Sequence, residues 1–318
     1  MGNSVLISAN VRVVGICIVA FLVLGTLAVF ALFLSDRERH RDMLWRTLSW
    51  YPVTLFCLGG MLAGREILTL GFVGVSAQVF RELANSDERL SSGWMLPLAF
   101  SLAALQYGAM ILGGGLLSLA IVPCLLASGA CATSLIRKRA PSERSRLKAL
   151  GWTLLMSVSV VGCLPALAWL PFDLGEHGWY GALLFLLIAT QINDVFQYIW
   201  GRLLGRRKLA PTISPKKTWE GVIGGVATMG LVGALIGEYI TSFGFLAGGF
   251  IAVVLCVGGV LGDLAFSLLK RARGIKDFGD LLPGFGGVLD RIDSLAFNAP
   301  GYLLLLCVCE AARVLLFV

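Results

Sequence analysis

The sequence is poor in charge. Only 14% of its 318 residues are charged, whereas 57% are hydrophobic, and the mean hydropathy is +0.84. Because soluble domains carry about 25% charged residues, this balance excludes a soluble protein. Apolar windows long enough to cross about 30 Å of hydrocarbon recur along the chain. We therefore expect an all-α, polytopic membrane protein of about ten transmembrane helices. The windows are 12–34, 46–63, 67–82, 95–112, 115–136, 151–172, 182–200, 219–240, 244–269 and 294–318.

Residues suited to zinc binding or to general-base chemistry are also scarce. The chain has two histidines, His40 and His177, and neither falls in a candidate site. All eight cysteines lie in apolar windows without the spacing of zinc ligands. The P-loop pattern G-x-x-x-x-G-K-[ST] is missing as well. Carboxylates and cations remain as the candidates for chemistry.

The chain has a formal net charge of +7, and its basic residues gather in alternate loops. The loops 35–46, 137–148, 201–217 and 270–291 are basic, whereas loop 173–181 has no Lys or Arg. This alternation is typical of the positive-inside rule and not of a nucleic-acid surface. We therefore expect the basic loops to face the cytosol and no nucleic-acid partner.

Polar groups divide the chain into two regions. Residues 1–150 carry few polar groups inside their apolar windows, so we assign them as N-terminal transmembrane helices. Residues 151–318 form a C-terminal transmembrane catalytic region, because 190–294 hold almost every acid and base that could act in a reaction.

The first polar cluster lies in a helix that ends in basic residues, among them Arg202. Asp194 falls inside the apolar part of this helix, where an acid costs about 2.5 to 3.5 kcal/mol if it lies centrally. It should therefore face a polar cavity or a partner. Pairing with Arg65 or Asn193 is the structural alternative.

The second cluster is the segment 209–225. Pro211 and Pro215 prevent a continuous helix, so we expect a loop that leads into a helix N-terminus and could bind phosphates. The alternative is a basic membrane anchor in which Thr218 is a helix N-cap. The candidate ligands are Ser214, Lys216, Lys217, Thr218 and Glu220.

The third cluster holds three carboxylates on two helices. Asp263 and Ser267 are four residues apart and share a helix face. Asp290 and Asp293 are three apart at the start of the final helix, after a "PGFGG" reversal, so all three acids could meet at one depth. Such oxygen ligands suit Mg²⁺. For Asp290 or Asp293 alone, the alternative is a helix cap offset by Arg291.

The third cluster resembles the signature of CDP-diacylglycerol synthases, also called phosphatidate cytidylyltransferases. The matching residues are Ser267, Lys270, Arg271, Lys276, Asp277, Pro283, Gly284, Gly286, Gly287, Asp290, Arg291 and Asp293. The segments "ISPKKTWEG" and Asp194, Gly201, Arg202, Gly205 resemble further motifs of the family, and the resemblance covers about 185–300. Phe285 stands where the family usually has His, and "VFQY" follows Asp194 where small residues and an aromatic are commoner.

The resemblance implies an enzyme that condenses phosphatidate with CTP, giving CDP-diacylglycerol and pyrophosphate. It implies Mg²⁺ held by Asp263, Asp290 and Asp293, with a monovalent cation such as K⁺ as a second ion. Lys270 and Arg271 join the catalytic group as cations for phosphates. The expected substrate-binding residues are Asp194, Arg202, Ser214, Lys216, Lys217, Thr218, Glu220, Ser267, Lys276, Asp277 and Arg291.

Phosphatidate, CTP and membrane lipids are the expected partners, and the sequence leaves open whether the protein forms a homodimer. We expect a multi-pass protein of a bacterial inner membrane with its site open to the cytosol. A CTP-dependent lipid kinase, acting for example on a polyprenol, would use similar acids and cations. A secondary transporter would also explain acids in the membrane, but it predicts polar residues in both halves.

Overall fold

The computed structural model describes residues 2–48, 50–85, 100–101, 104–108, 164–165, 167–168, 175–279, 281 and 286–317. Within these ranges the chain forms eight long helices and one two-stranded hairpin. The helices are α1 (Gly2–Ser35), α2 (Arg37–Leu48), α3 (Trp50–Ala63), α4 (Arg65–Asn85), α5 (Gly175–Leu204), α6 (Trp219–Ile240), α7 (Phe245–Ala272) and α8 (Leu289–Phe317), and the strands are β1 (Lys208–Ala210) and β2 (Ser214–Thr218). The predicted helical class is confirmed, with the hairpin as its exception.

Within the described residues, four helices are long and apolar enough to cross a membrane. They are Ala9–Ser35, Trp179–Leu204, Trp219–Ile240 and Phe245–Ala272. These spans match the predicted windows 12–34, 182–200, 219–240 and 244–269. Ten transmembrane helices are not confirmed: the described residues hold only these four spans, and 115–136 and most of 95–112 and 151–172 lie outside the described residues.

Two predicted segments differ from the structure. The basic segment 35–46 was expected to be a loop, but Arg37–Leu48 is helical. The window 46–63 contains α3, which has 14 residues. A helix of that length rises about 21 Å, which is less than the hydrocarbon thickness of about 30 Å. The boundary proposed at residue 150 lies outside the described residues and stays a prediction.

Small residues bring α6 and α7 close together. A Cβ on Gly248 would lie 2.8 Å from the carbonyl oxygen of Gly233, and one on Gly233 would overlap the Ala252 side chain. Small residues at helix interfaces allow this backbone approach in membrane proteins. The close packing fixes α7, and with it Asp263, relative to α6.

A buried polar contact ties three helices together next to the site. The side-chain amide of Asn298 on α8 donates to the hydroxyl of Thr190 on α5 at 3.2 Å and to the carbonyl of Leu255 on α7 at 2.8 Å. Such interhelical hydrogen bonds satisfy polar groups that lipid cannot. These two hydrogen bonds fix the positions of α5, α7 and α8 relative to one another.

Candidate active site

The hairpin carries the second sequence cluster to α7. Its strands are antiparallel, with Lys208 opposite Thr218 and Ala210 opposite Ser214. The ammonium nitrogen of Lys217 lies 2.5 Å from Oδ2 of Asp263. Successive side chains of a strand point to opposite sides, and Lys216 is exposed. Sequence reasoning treated the two lysines alike, whereas the strand separates them.

Two other residues of this segment hold the hairpin and the start of α6. The hydroxyl of Thr218 accepts from the Gly221 N–H at 3.2 Å, which is an N-cap. The carboxylate of Glu220 accepts from the Arg206 N–H at 3.0 Å and from the Arg207 N–H at 3.1 Å. The capping alternative for Thr218 is confirmed, and substrate contacts by Thr218 and Glu220 stay predictions.

The first cluster joins the same place through Asp194. Its carboxylate interacts electrostatically with Lys217 and Asp263, and its Oδ1 lies 3.5 Å from Nε2 of Gln197. Asn193 instead donates to the carbonyl of Cys256. The acid predicted to need a polar surrounding therefore lies among groups from the other two clusters.

Asp290 binds Lys270 on α7 and the backbone of the segment that leads into α8. Its Oδ1 accepts from the Lys270 ammonium at 2.9 Å. Its Oδ2 accepts from the backbone N–H groups of Phe278 at 2.7 Å and Gly287 at 2.9 Å. Both oxygens are thus bound by the protein, and the side chain is 4% exposed.

Gly286 makes this arrangement possible. Its φ of 87° lies in the left-handed region that favours glycine. A Cβ there would lie 2.7 Å from Oδ2 of Asp290 and 2.8 Å from Cβ of Asp277. A larger residue would therefore strain the backbone and displace both acids. The preceding residues 282–285, including the predicted departure at Phe285, lie outside the described residues.

Lys270 lies near both Asp290 and Asp293 on α8, and Asp293 lies near Asp263. Nζ of Lys270 lies 3.9 Å from Oδ2 of Asp293, and Asp293 interacts electrostatically with Asp263. Ser267 donates to Oδ1 of Asp263 at 3.3 Å, as expected for residues four apart on a helix. Lys270 thus lies between Asp290 and Asp293, and Asp293 is near enough to Asp263 for the two like charges to repel each other. That the three acids form one site stays a prediction.

The remaining predicted ligands differ in how far they are exposed. Ser214 at the start of β2 and Arg291 on α8 are partly buried. Their binding roles stay predictions. The exposed residues of the predicted set, besides Asp194, are Arg202, Lys216, Arg271, Lys276 and Asp277.

The acids of the cluster are the type of ligand that Mg²⁺ prefers, but the described side chains do not converge on a metal position. Hard carboxylate oxygens come from Asp263, Asp290 and Asp293, with Asp194 beside them, and two ammonium groups already bring positive charge to these acids. In the described part of the chain, no group of three or more His, Cys, Asp or Glu side chains converges closely enough to hold a metal ion. Magnesium binding therefore stays a prediction.

Sequence reasoning missed one residue of this region. Glu82 on α4 accepts from the Val288 N–H through Oε1 and from the Leu289 N–H through Oε2, both at 2.9 Å. Gln78 donates to Oε1 at 3.0 Å. The sequence feature that could have identified Glu82 is an acid and an amide four residues apart in a largely apolar helix. That spacing places both side chains on one face of the helix.

A comparison with known protein families finds a match that includes most of the helices and the hairpin. The model of the cytidylyltransferase family matches residues 44–309. The chain belongs to the cytidylyltransferase family. The resemblance predicted from about 185–300 is confirmed, and the match to the family extends over α3 and α4 as well.

Similar proteins also support membership of this family, one over nearly the whole chain and others over part of it. The chain is 31% identical to the uncharacterized protein YnbB of Escherichia coli over 296 residues, covering 91% of this chain and 96% of YnbB. It is 43% identical to the phosphatidate cytidylyltransferase of Helicobacter pylori over 120 residues, 38% of this chain and 45% of that one. For the Haemophilus influenzae enzyme of the same name, the identity is 43% over 134 residues, 39% of this chain and 44% of that one. The chain thus matches about half the length of the relatives with a named activity.

Proposed function

We propose that the protein transfers the cytidylyl group of CTP to phosphatidate, giving CDP-diacylglycerol and pyrophosphate. Family membership supports an enzyme of CTP chemistry, and relatives matched over part of their length carry the name phosphatidate cytidylyltransferase. The observation that carries the proposal is the pairing of Lys217 from the second sequence cluster with Asp263 from the third, beside the Lys270–Asp290 pair within the third cluster. Asp194 of the first cluster lies near the Lys217–Asp263 pair.

The proposed reaction needs positioning and charge neutralisation more than proton transfer. An oxygen of the lipid phosphate forms a bond to the α-phosphorus of CTP. The bond from that phosphorus to the oxygen bridging the α- and β-phosphates breaks, and pyrophosphate leaves. Lys217 and Lys270 would neutralise phosphate oxygens as charge develops, since fixed cations stabilise phosphoryl transfer. Both ammonium groups are partly buried, which strengthens their interactions.

In this proposal Asp263, Asp290 and Asp293 would hold Mg²⁺, with K⁺ as a second cation. Magnesium would supply Lewis-acid stabilisation of charge on the leaving pyrophosphate. Oδ1 of Asp290 would become available only when Lys270 leaves it, because its Oδ2 is bound by two backbone N–H groups. The lysine would then be free to contact a phosphate.

The decisive experiment follows the label of CTP. Purified protein is incubated with phosphatidate, Mg²⁺ and CTP labelled at either the α- or the γ-phosphate. Cytidylyl transfer leaves α-label in the lipid product and γ-label in pyrophosphate. A lipid kinase would leave γ-label in the lipid, and that outcome with phosphatidate or a polyprenol would contradict the proposal. Asp263→Asn serves as the inactive control.

We also propose that the site faces the cytosol of a bacterial cell, in the inner membrane. The apolar spans support membrane insertion, and the basic hairpin would lie on the cytosolic side by the positive-inside rule. Ser214→Cys, in a background without the native cysteines, should escape an impermeant thiol reagent added to intact cells and react after permeabilisation. Labelling in intact cells would place this hairpin on the opposite side.

A further inference from the structure

A carboxylate from the N-terminal half of the chain lies against the segment that carries Asp290. Glu82 is 4% exposed. It accepts from Val288 and Leu289, which lie 206 and 207 residues further along the chain. Gly287 N–H, just before them, donates to Asp290. Three successive backbone N–H groups at the start of α8 are therefore shared between Glu82 and Asp290.

The surroundings of Glu82 are shaped for a carboxylate. A Cβ on Gly287 would overlap Oε2 of Glu82, and a Cβ on Gly279 would lie 3.2 Å from its Cδ. The two glycines thus leave the space that the acid fills. Hydrogen bonds from backbone N–H groups to an ionised carboxylate are among the strong ones. The first N–H groups of a helix have no partner within that helix, so an acid there stabilises the helix start.

We infer that Glu82 is a positioning residue that fixes Asp290 and Asp293 by anchoring the first turn of α8. Asp290 begins that turn and Asp293 lies one turn on, so their distance from Asp263 depends on where α8 starts. This inference rests on the proposed function for its kinetic part, whereas its structural part does not. Its consequence is that α4, outside the motif-bearing half, is required for the geometry of the acids.

The main variant is Glu82→Gln, because the amide keeps the shape of the side chain. It retains one acceptor oxygen and turns an NH₂ group toward a backbone donor. Glu66→Gln is the matched control, since Glu66 lies in the first turn of the same helix and its side chain is 65% exposed. Glu82→Asp tests rescue by charge, and Gly287→Ala disturbs the same contact from the other side.

The first measurement is amide hydrogen exchange, which does not depend on activity. In Glu82→Gln we expect exchange at residues 286–290 to rise at least tenfold, with little change in peptides from α6. Glu66→Gln should match wild type at both places. Unchanged exchange at 286–290 in both Glu82→Gln and Gly287→Ala would overturn the inference, as would an equal rise across all helices.

The second measurement is the dependence of cytidylyl transfer on Mg²⁺ and CTP. We expect Glu82→Gln to lower kcat about tenfold and to raise the Mg²⁺ concentration for half-activation, with KM for CTP changed less than about threefold. Glu82→Asp should recover part of kcat. Wild-type kinetics in Glu82→Gln would overturn the positioning role. If wild type forms no CDP-lipid, the proposed function fails, and hydrogen exchange alone decides whether Glu82 anchors α8.

Discussion

Removing the ammonium group of Lys270 tests how the acid cluster is held together. Lys270 lies 2.9 Å from Oδ1 of Asp290, and the two side chains are 12% and 4% exposed. Two unit charges at that distance attract by about 6 kcal/mol at an effective dielectric constant of about 20. Desolvation offsets part of this attraction, and breaking one partner of a buried pair costs about 3 to 5 kcal/mol. We expect Lys270→Met to lose about that much stability.

A double-mutant cycle isolates the pair from other effects of each substitution. Lys270→Met, Asp290→Asn and the double variant are unfolded at equilibrium in detergent micelles, with Arg271→Met as an exposed neighbouring control. The double variant should be more stable than the sum of the single losses predicts, by about 2 kcal/mol or more, because it leaves no unpaired charge at position 290. Additivity within about 0.5 kcal/mol would refute the assignment of this contact as a strong buried pair.

Three further predictions concern the proposed reaction. Asp263→Asn should abolish turnover while the protein stays folded, since the amide keeps the shape but not the charge; near-normal turnover at saturating Mg²⁺ would contradict this. Lys217→Gln should lower kcat at least tenfold in the labelled-CTP assay, because Lys217 contacts Asp263, whereas Lys208→Gln on the exposed end of β1 should change it little; equal effects would show that the contact is not specific. Phe285→His should change turnover less than about tenfold if this position only shapes the glycine turn, and a larger gain would instead indicate a lost phosphate donor.

The positions of the acids on their helices could be predicted from spacing alone. Asp263 and Ser267 share a face because they are four residues apart, and the structure joins them by a hydrogen bond. Likewise, Asp290 and Asp293 both lie near Lys270. Helical periodicity is fixed by backbone geometry, so such neighbours need no knowledge of the tertiary fold.

The contacts made by the hairpin and by α4 could not be predicted in this way. Pro211 and Pro215 indicated an irregular loop, and only strand pairing determines that Lys217 faces Asp263 while Lys216 is exposed. Glu82 meets its partners across more than 200 residues. No local pattern encodes a contact of that sequence separation, because packing of whole helices determines it.

The contact between Glu82 and the start of α8 has a consequence for biosynthesis. During translation α4 is made long before α8, so Glu82 enters its surroundings when Val288 and Leu289 have not yet been synthesised. A buried carboxylate without its donors is costly. Until α8 is made, Glu82 therefore has Gln78 as a donor but lacks the two backbone donors of Val288 and Leu289. Completion of the acid cluster and the pairing of Glu82 with these donors are then one event, which couples maturation of the site to the synthesis of α8.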